Sequence, residues 1–108
     1  MERRWSQRVP FEADVTVYLQ GIPVLSCKSR NIGPEGLLID AEPGSLPPHR
    51  AVEIEIMLDE PGHRKRLCIP AYVTRTEAGT AVMFTTADPR TPAAVRELMR
   101  ETGEAVTE

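Results

Sequence analysis

Apolar and polar residues alternate along most of the chain up to Phe84, which is the pattern of β-strands buried on one face. The alternation is clearest in residues 52–58, where glutamates and a methionine separate apolar residues at every second position. Turn-forming segments such as Asp59-Glu60-Pro61-Gly62 divide these stretches from one another. The pattern predicts six strands, over residues 12–19, 22–29, 36–40, 52–58, 66–74 and 79–84.

The periodicity changes near residue 91, where a helix is predicted. Thr91 is suited to cap the helix N-terminus, and Pro92 is suited to the first helical position. Gly103 is suited to the C-terminal cap, so we predict a helix over about residues 91–102. An apolar stripe at helical spacing lies within it, formed by Val95, Leu98 and Met99.

Short strands followed by one helix predict a mostly β fold, namely a small antiparallel six-stranded β-barrel with a C-terminal α-helix. A barrel is favoured because closing the sheet leaves no exposed strand edge. The length of 108 residues suits a single domain over residues 11–103, preceded by a flexible arm over 1–10 and followed by a frayed tail over 104–108. Pro70 lacks an N–H, so we expect it at a sheet edge or a bulge.

Composition argues against several classes of function. The formal net charge of −3 disfavours binding to nucleic-acid polymers, and few aromatic residues are available to stack on bases. No apolar stretch resembles a signal peptide or reaches the length of a membrane span, so we expect a cytoplasmic protein without membrane insertion. We find no arrangement typical of a catalytic site and predict that the protein is not an enzyme.

The cysteines and histidines do not suggest a metal site. Cys27 and Cys68 fall in predicted strands, where we expect small buried side chains rather than a disulfide. Together with His49 and His63 they match no zinc-ligand spacing, so we predict no metal.

Two segments suggest an anion-binding site. The first is the N-terminal arm, in which arginines are concentrated although the chain is acidic overall; they are Arg3, Arg4 and Arg8. Arginine donates paired hydrogen bonds to phosphate and to guanine and keeps its charge at any physiological pH. The second segment runs from Asn31 to Gly36, where an amide side chain precedes a tight turn with glycines at 33 and 36. Glycines there allow a ligand to approach the backbone closely.

Together the two segments resemble the PilZ domain family of bacterial cyclic di-GMP receptors. Arg4-Trp5-Ser6-Gln7-Arg8 is similar to the family's R-x-x-x-R arm, and Asn31-Ile32-Gly33-Pro34-Glu35-Gly36 is similar to its [DN]-x-S-x-x-G motif. Gly79-Thr80-Ala81-Val82-Met83-Phe84 resembles a late strand of these domains. Gly33 stands where the family has a serine that helps to hold a phosphate, and its absence removes a hydrogen bond worth about 1 kcal/mol.

The resemblance implies that cyclic di-GMP is the ligand and that no other cofactor is needed. It implies that Arg4 and Arg8 grip guanine edges or phosphates, that Asn31 hydrogen-bonds a guanine, and that Gly33 and Gly36 shape the loop. Arg3 would either contact a peripheral phosphate or remain solvated. Trp5 would either stack on a purine or act as an apolar anchor.

The resemblance also implies a way of signalling. Ligand would order the N-terminal arm against the barrel and so change a surface that a protein partner recognises. Motility, pilus or exopolysaccharide machinery are the partners that the family suggests. An alternative is a PilZ-like adaptor that binds proteins but no nucleotide, and a further alternative is a barrel that binds single-stranded nucleic acid.

Overall fold

The computed structural model of the protein describes residues 8–102. Arg3, Arg4, Trp5 and the predicted tail lie outside the described residues. The described part contains seven strands and one helix: β1 (Val9–Pro10), β2 (Asp14–Leu19), β3 (Ile22–Ile32), β4 (Gly36–Ile39), β5 (Ala51–Glu60), β6 (His63–Thr76), β7 (Gly79–Phe84) and α1 (Thr91–Thr102).

Six of the strands close into an antiparallel barrel. The strand order is β3-β2-β5-β6-β7-β4, and β4 returns to pair with β3, which closes the sheet. The short β1 is an additional strand that pairs with the end of β3. The predicted fold class, a mostly β six-stranded barrel with a C-terminal helix, is therefore confirmed, with β1 as a strand that the periodicity did not predict.

The barrel interior is filled by the apolar residues that the alternation assigned to it. In β5 all four predicted inward positions are buried, and Ile54 and Ile56 have no exposed surface. The helix packs against β6 and contributes Leu98 and Met99 to the same core, while Val95 packs against it from the side. The stripe that predicted the helix is thus the face that docks on the barrel.

Some local predictions were wrong. Thr91 begins the helix, but its buried hydroxyl has no hydrogen-bond partner among the described residues, so it does not form the predicted cap. The strand predicted over residues 22–29 continues to Ile32, so Asn31, expected at the end of this stretch, lies within β3. Cys68 is exposed on the outer face of β6, and Cys27 is only half-buried; both thiols are free.

Pro70 was also misplaced, because it lies in the interior of β6, opposite Glu53 of β5. Its carbonyl accepts a hydrogen bond from the Thr85 N–H (2.9 Å), and pairing with β7 begins only at the next residue, Ala71, opposite Phe84. The N–H and carbonyl of a strand residue point to the same side. The missing donor therefore faces the end of β7, where no ladder bond is lost.

Candidate functional site

The N-terminal arm reaches the second motif through β1. Val9 pairs with Ile32 and Pro10 with Asn31, so the chain entering the barrel runs antiparallel to the motif. The Phe11 N–H continues this contact by donating to the Arg30 carbonyl (3.1 Å). Two segments that are more than twenty residues apart in sequence therefore become neighbours.

Ser29 secures the segment between β1 and β2. Its side chain is 1% exposed; its hydroxyl donates to the Phe11 carbonyl (2.6 Å) and accepts from the Ala13 N–H (2.9 Å). A buried hydroxyl with both partners present orders the backbone around it. The backbone between β1 and β2 is therefore held in place by a serine of β3.

Arg8 lies directly over Gly33. A Cβ atom added to Gly33 would be 2.9 Å from the Arg8 Cγ and 3.9 Å from its Cα. The half-buried arginine thus occupies the space that any larger side chain at position 33 would need. The absence of a side chain at position 33 is matched to this path of the arginine.

Asn31 belongs to a row of residues on the outer face of the barrel. Ile32, Leu37 and Val82 point into the core, so their neighbours Asn31, Leu38 and Ala81 point outwards. Leu38 and Ala81 are nevertheless 2% and 1% exposed. The Asn31 Oδ1 is also buried and has no hydrogen-bond partner within residues 8–102. A buried acceptor without a donor is costly and marks a position where a ligand can supply one.

The turn between β3 and β4 is held by backbone contacts. The Gly33 N–H donates to the Gly36 carbonyl (3.0 Å), and the Phe84 N–H donates to the Glu35 carbonyl (2.8 Å). A Cβ atom on Gly36 would lie 2.6 Å from the Val82 carbonyl oxygen, so only glycine permits this approach of β4 to β7. The structure thus gives Gly36 a packing role in shaping the loop.

A cavity of about 370 Å³ adjoins Arg8, within the size range of small-molecule sites. Its other described lining residues belong to the turn between β6 and β7, namely Thr76, Glu77 and Ala78. The Thr76 hydroxyl donates to the Gly79 carbonyl (3.0 Å) and accepts from the Ala78 N–H (3.1 Å), which orders this turn. The Arg30 Nη1 lies 3.9 Å from the point where a Gly79 Cβ would be. Sequence reasoning missed this turn because only the closing of the barrel brings it towards the arm.

The structure brings together four of the seven residues predicted for the site: Arg8, Asn31, Gly33 and Gly36. Arg3, Arg4 and Trp5 lie outside the described residues, so their roles stay predictions. The assembled groups are a cation, an amide acceptor without a donor and a close backbone turn. Such a set can bind an anion that also carries hydrogen-bond donors.

No described helix combines the length and the apolar character needed to cross a lipid bilayer. Among residues 8–102, no group of three or more metal-ligating side chains lies together.

Comparison with known proteins shows a likeness at the level of the fold. No protein-family model matches the sequence, and no curated protein matches it. Among solved structures, the chain is similar to the Bacillus subtilis inhibitor of motility MotI/DgrA, with a TM-score of 0.63 and 18% sequence identity. The match covers 96% of this chain and 54% of that one, so the protein spans about half the length of its structural neighbour. The likeness shows that the two proteins share a fold.

Proposed function

We propose that the protein is a cyclic di-GMP receptor that acts as an adaptor, binding the nucleotide on the outer face of the barrel. The observation that carries the proposal is the placement of Arg8 over Gly33, next to Asn31 with its buried Oδ1 unpartnered in the described residues. The motif resemblance and the barrel with its terminal helix support the same family assignment. The adaptor role agrees with a structural neighbour whose name describes an inhibitor of motility.

The chemistry of the four residues suits a guanine dinucleotide. The Arg8 guanidinium would donate in a fork to the guanine O6 and N7 or to a phosphate, a contact worth about 1–3 kcal/mol. The Asn31 Oδ1 would accept from the guanine N–H groups and so gain the donor that it lacks. Arg4 would hold the other side of the ligand, with Arg3 at a peripheral phosphate and Trp5 stacked on a purine.

Gly33 changes how this ligand would be held. A serine Cβ at this position would meet the Arg8 Cγ at 2.9 Å, so the family's serine requires a different path for the arginine. In this protein the glycine N–H already donates to the Gly36 carbonyl, so it does not replace the lost hydroxyl. Binding therefore depends more strongly on Arg8 than in a domain that carries the serine.

Signalling in this proposal needs no chemical step. Ligand would draw Arg4 and Arg8 onto the barrel beside Asn31, and the altered surface would be recognised by a protein partner in the cytoplasm. Components of motility, pilus or exopolysaccharide machinery are candidate partners.

Titration with cyclic di-GMP by calorimetry tests the proposal directly. We expect a dissociation constant in the micromolar range or tighter for the wild-type protein. Arg8→Ala should weaken binding about ten- to a hundred-fold, because it removes a charge-assisted contact worth about 1.5–3 kcal/mol. Arg100→Ala is the matched control, since Arg100 is an exposed arginine of α1, remote in sequence from both motifs. It should leave the affinity unchanged.

Failure to bind would favour the second candidate function. The absence of heat at high ligand concentration, with the wild-type protein folded, would contradict the receptor proposal. The observation that favours the alternative, an adaptor that binds no nucleotide, is glycine at position 33 in place of the family's serine. In that case Arg8→Ala should leave binding to the protein partner intact.

A further inference from the structure

A second cleft lies between the β3–β4 turn and the start of the helix. It has a volume of about 330 Å³. Its lining is mostly apolar and is formed by Pro34, Phe84, Thr86, Thr91, Pro92, Val95 and Arg96. None of these residues was assigned a role in nucleotide binding, although Pro34 belongs to the turn on which Arg8 rests.

One residue of the cleft lining, Thr91, carries a hydrogen-bonding group that is not satisfied among the described residues. Thr91 is 1% exposed, and its hydroxyl oxygen has no hydrogen-bond partner in the described part of the chain. A buried hydroxyl without a hydrogen-bond partner destabilises the folded protein. A ligand group that pairs with it on binding removes this cost, which adds to the affinity. This observation is independent of the cleft's shape.

The electrostatics of the cleft favour an anion. The first turn of α1 contains no acidic residue, and the Asp88 carboxylate just before it is engaged by the backbone N–H and the side chain of Arg90. Arg96, one turn further on, is exposed and forms no ion pair with any residue of the described range. Arg90, by contrast, is bound by Asp88 (3.0 Å) and Glu53 (3.0 Å). Among the described residues that line the cleft, the charge left unpaired is therefore that of Arg96.

The walls of the cleft favour burial of a side chain over addition of a strand. Pro34 and Pro92 have no N–H, so this part of the wall offers no backbone donor to an incoming chain. Phe84 and Val95 supply apolar surface instead. An occupant that suits all these features combines an apolar side chain with a carboxylate close to it.

We infer that this cleft is the docking site for a segment of a partner protein in which an apolar side chain lies next to a carboxylate. The inference rests on the proposed adaptor function, since it identifies the surface that the nucleotide regulates. The link is the β3–β4 turn: Gly33 contacts Arg8, Pro34 lines the cleft, and the Glu35 carbonyl binds the N–H of Phe84 in the cleft wall. Nucleotide bound at Arg8 would move one wall of the docking site.

The smallest probe of this chemistry is 4-phenylbutyrate, with 4-phenylbutyramide as its uncharged match. Titration followed by nuclear magnetic resonance should shift the signals of Thr86, Thr91 and Val95 first. The carboxylate should bind about five-fold more tightly than the amide. This ratio of affinities corresponds to roughly 1 kcal/mol, the contribution expected from an ion pair with Arg96 that is open to solvent. Arg96→Glu should abolish this preference. Arg100→Glu, which makes the same charge change one turn later on α1, should preserve it.

Several results would overturn the inference. These are equal affinities for the carboxylate and the amide, shifts outside the cleft, or an unchanged preference in Arg96→Glu. If the cleft signals change with protein concentration, the occupant is a second copy of this chain. If they change when residues 103–108 are removed, the occupant is the tail. If cyclic di-GMP shifts the cleft signals equally in the wild-type and Arg8→Ala proteins, the nucleotide itself binds in the cleft.

These experiments distinguish a failure of the docking inference from a failure of the nucleotide-receptor proposal. The probe is titrated first without nucleotide, so its result does not depend on whether cyclic di-GMP binds. At saturating cyclic di-GMP, the affinity for 4-phenylbutyrate should change in the wild-type protein and not in Arg8→Ala. A wild-type protein that binds both ligands without any change in probe affinity would contradict the coupling through the turn.

Discussion

At the scale of single residues, two glycines of one turn have different roles. A Cβ on Gly36 would meet backbone, namely the Val82 carbonyl oxygen at 2.6 Å and the Met83 Cα at 3.1 Å. The three atoms nearest to a Cβ on Gly33 would instead all belong to Arg8, two of them in its side chain. Backbone within a closed barrel cannot move without disturbing the ladder, whereas an arginine side chain has other rotamers. Gly36 is therefore required by the fold, and Gly33 is required by the placement of Arg8.

We predict that Gly36→Ala destabilises the protein by about 1–3 kcal/mol, the usual cost of overpacking a tight contact. Gly33→Ala should cost clearly less, because the Arg8 side chain can turn away. Urea unfolding of both variants measures the difference. Equal losses of stability would show that Arg8 is held as rigidly as the backbone of β7.

At the scale of elements, the segment between β1 and β2 is held by its contact with β3. The Ser29 hydroxyl is bonded both to the Phe11 carbonyl and to the Ala13 N–H. The bulge in β3, between Ser29 and Asn31, then turns Arg30 towards the solvent and Asn31 towards the outer row. This irregularity lies at the candidate site, where strand bulges are frequent.

We predict that Ser29→Ala destabilises the protein by about 1–3 kcal/mol, because two backbone groups lose their partner. Amide exchange of Ala13 should also accelerate. Ser26→Ala is the control, since Ser26 is an exposed serine of the same strand. If both variants were equally stable, the Ser29 hydroxyl would have no structural role.

At the scale of the whole molecule, exposed ion pairs join strands that are distant in sequence. Asp14 of β2 contacts Lys28 of β3 (2.9 Å) and Arg64 of β6 (3.2 Å), and Arg64 also contacts Asp59 of β5 (2.8 Å). Hydrogen bonds from Lys28, and then from Arg64, hold the pKa of Asp14 below its usual value of 3.8. The pairs are open to solvent, so each contributes little alone.

The direction of this pKa shift predicts how stability depends on pH. A carboxyl whose pKa is lower in the folded protein stabilises it above the unfolded value, and this contribution is lost as the pH falls below about 4. Asp14→Asn should therefore flatten the loss of stability between pH 5 and pH 2. Urea unfolding across this range measures the slope. A slope that is the same in Asp14→Asn as in the wild type would contradict this prediction.

The alternation of apolar residues predicted the strands, the helix and the closed barrel, because burial of one face is a local property that recurs every second or every third to fourth residue. The motifs predicted Arg8, Asn31 and the two glycines as one site. Local patterns did not predict which residues lie opposite one another across strands. The pairing of β1 with β3, the contact of Arg8 with Gly33 and the cleft between Pro34 and Val95 arise from contacts over long sequence separations. Only the tertiary structure decides these, because strand register and helix docking depend on how the whole core packs.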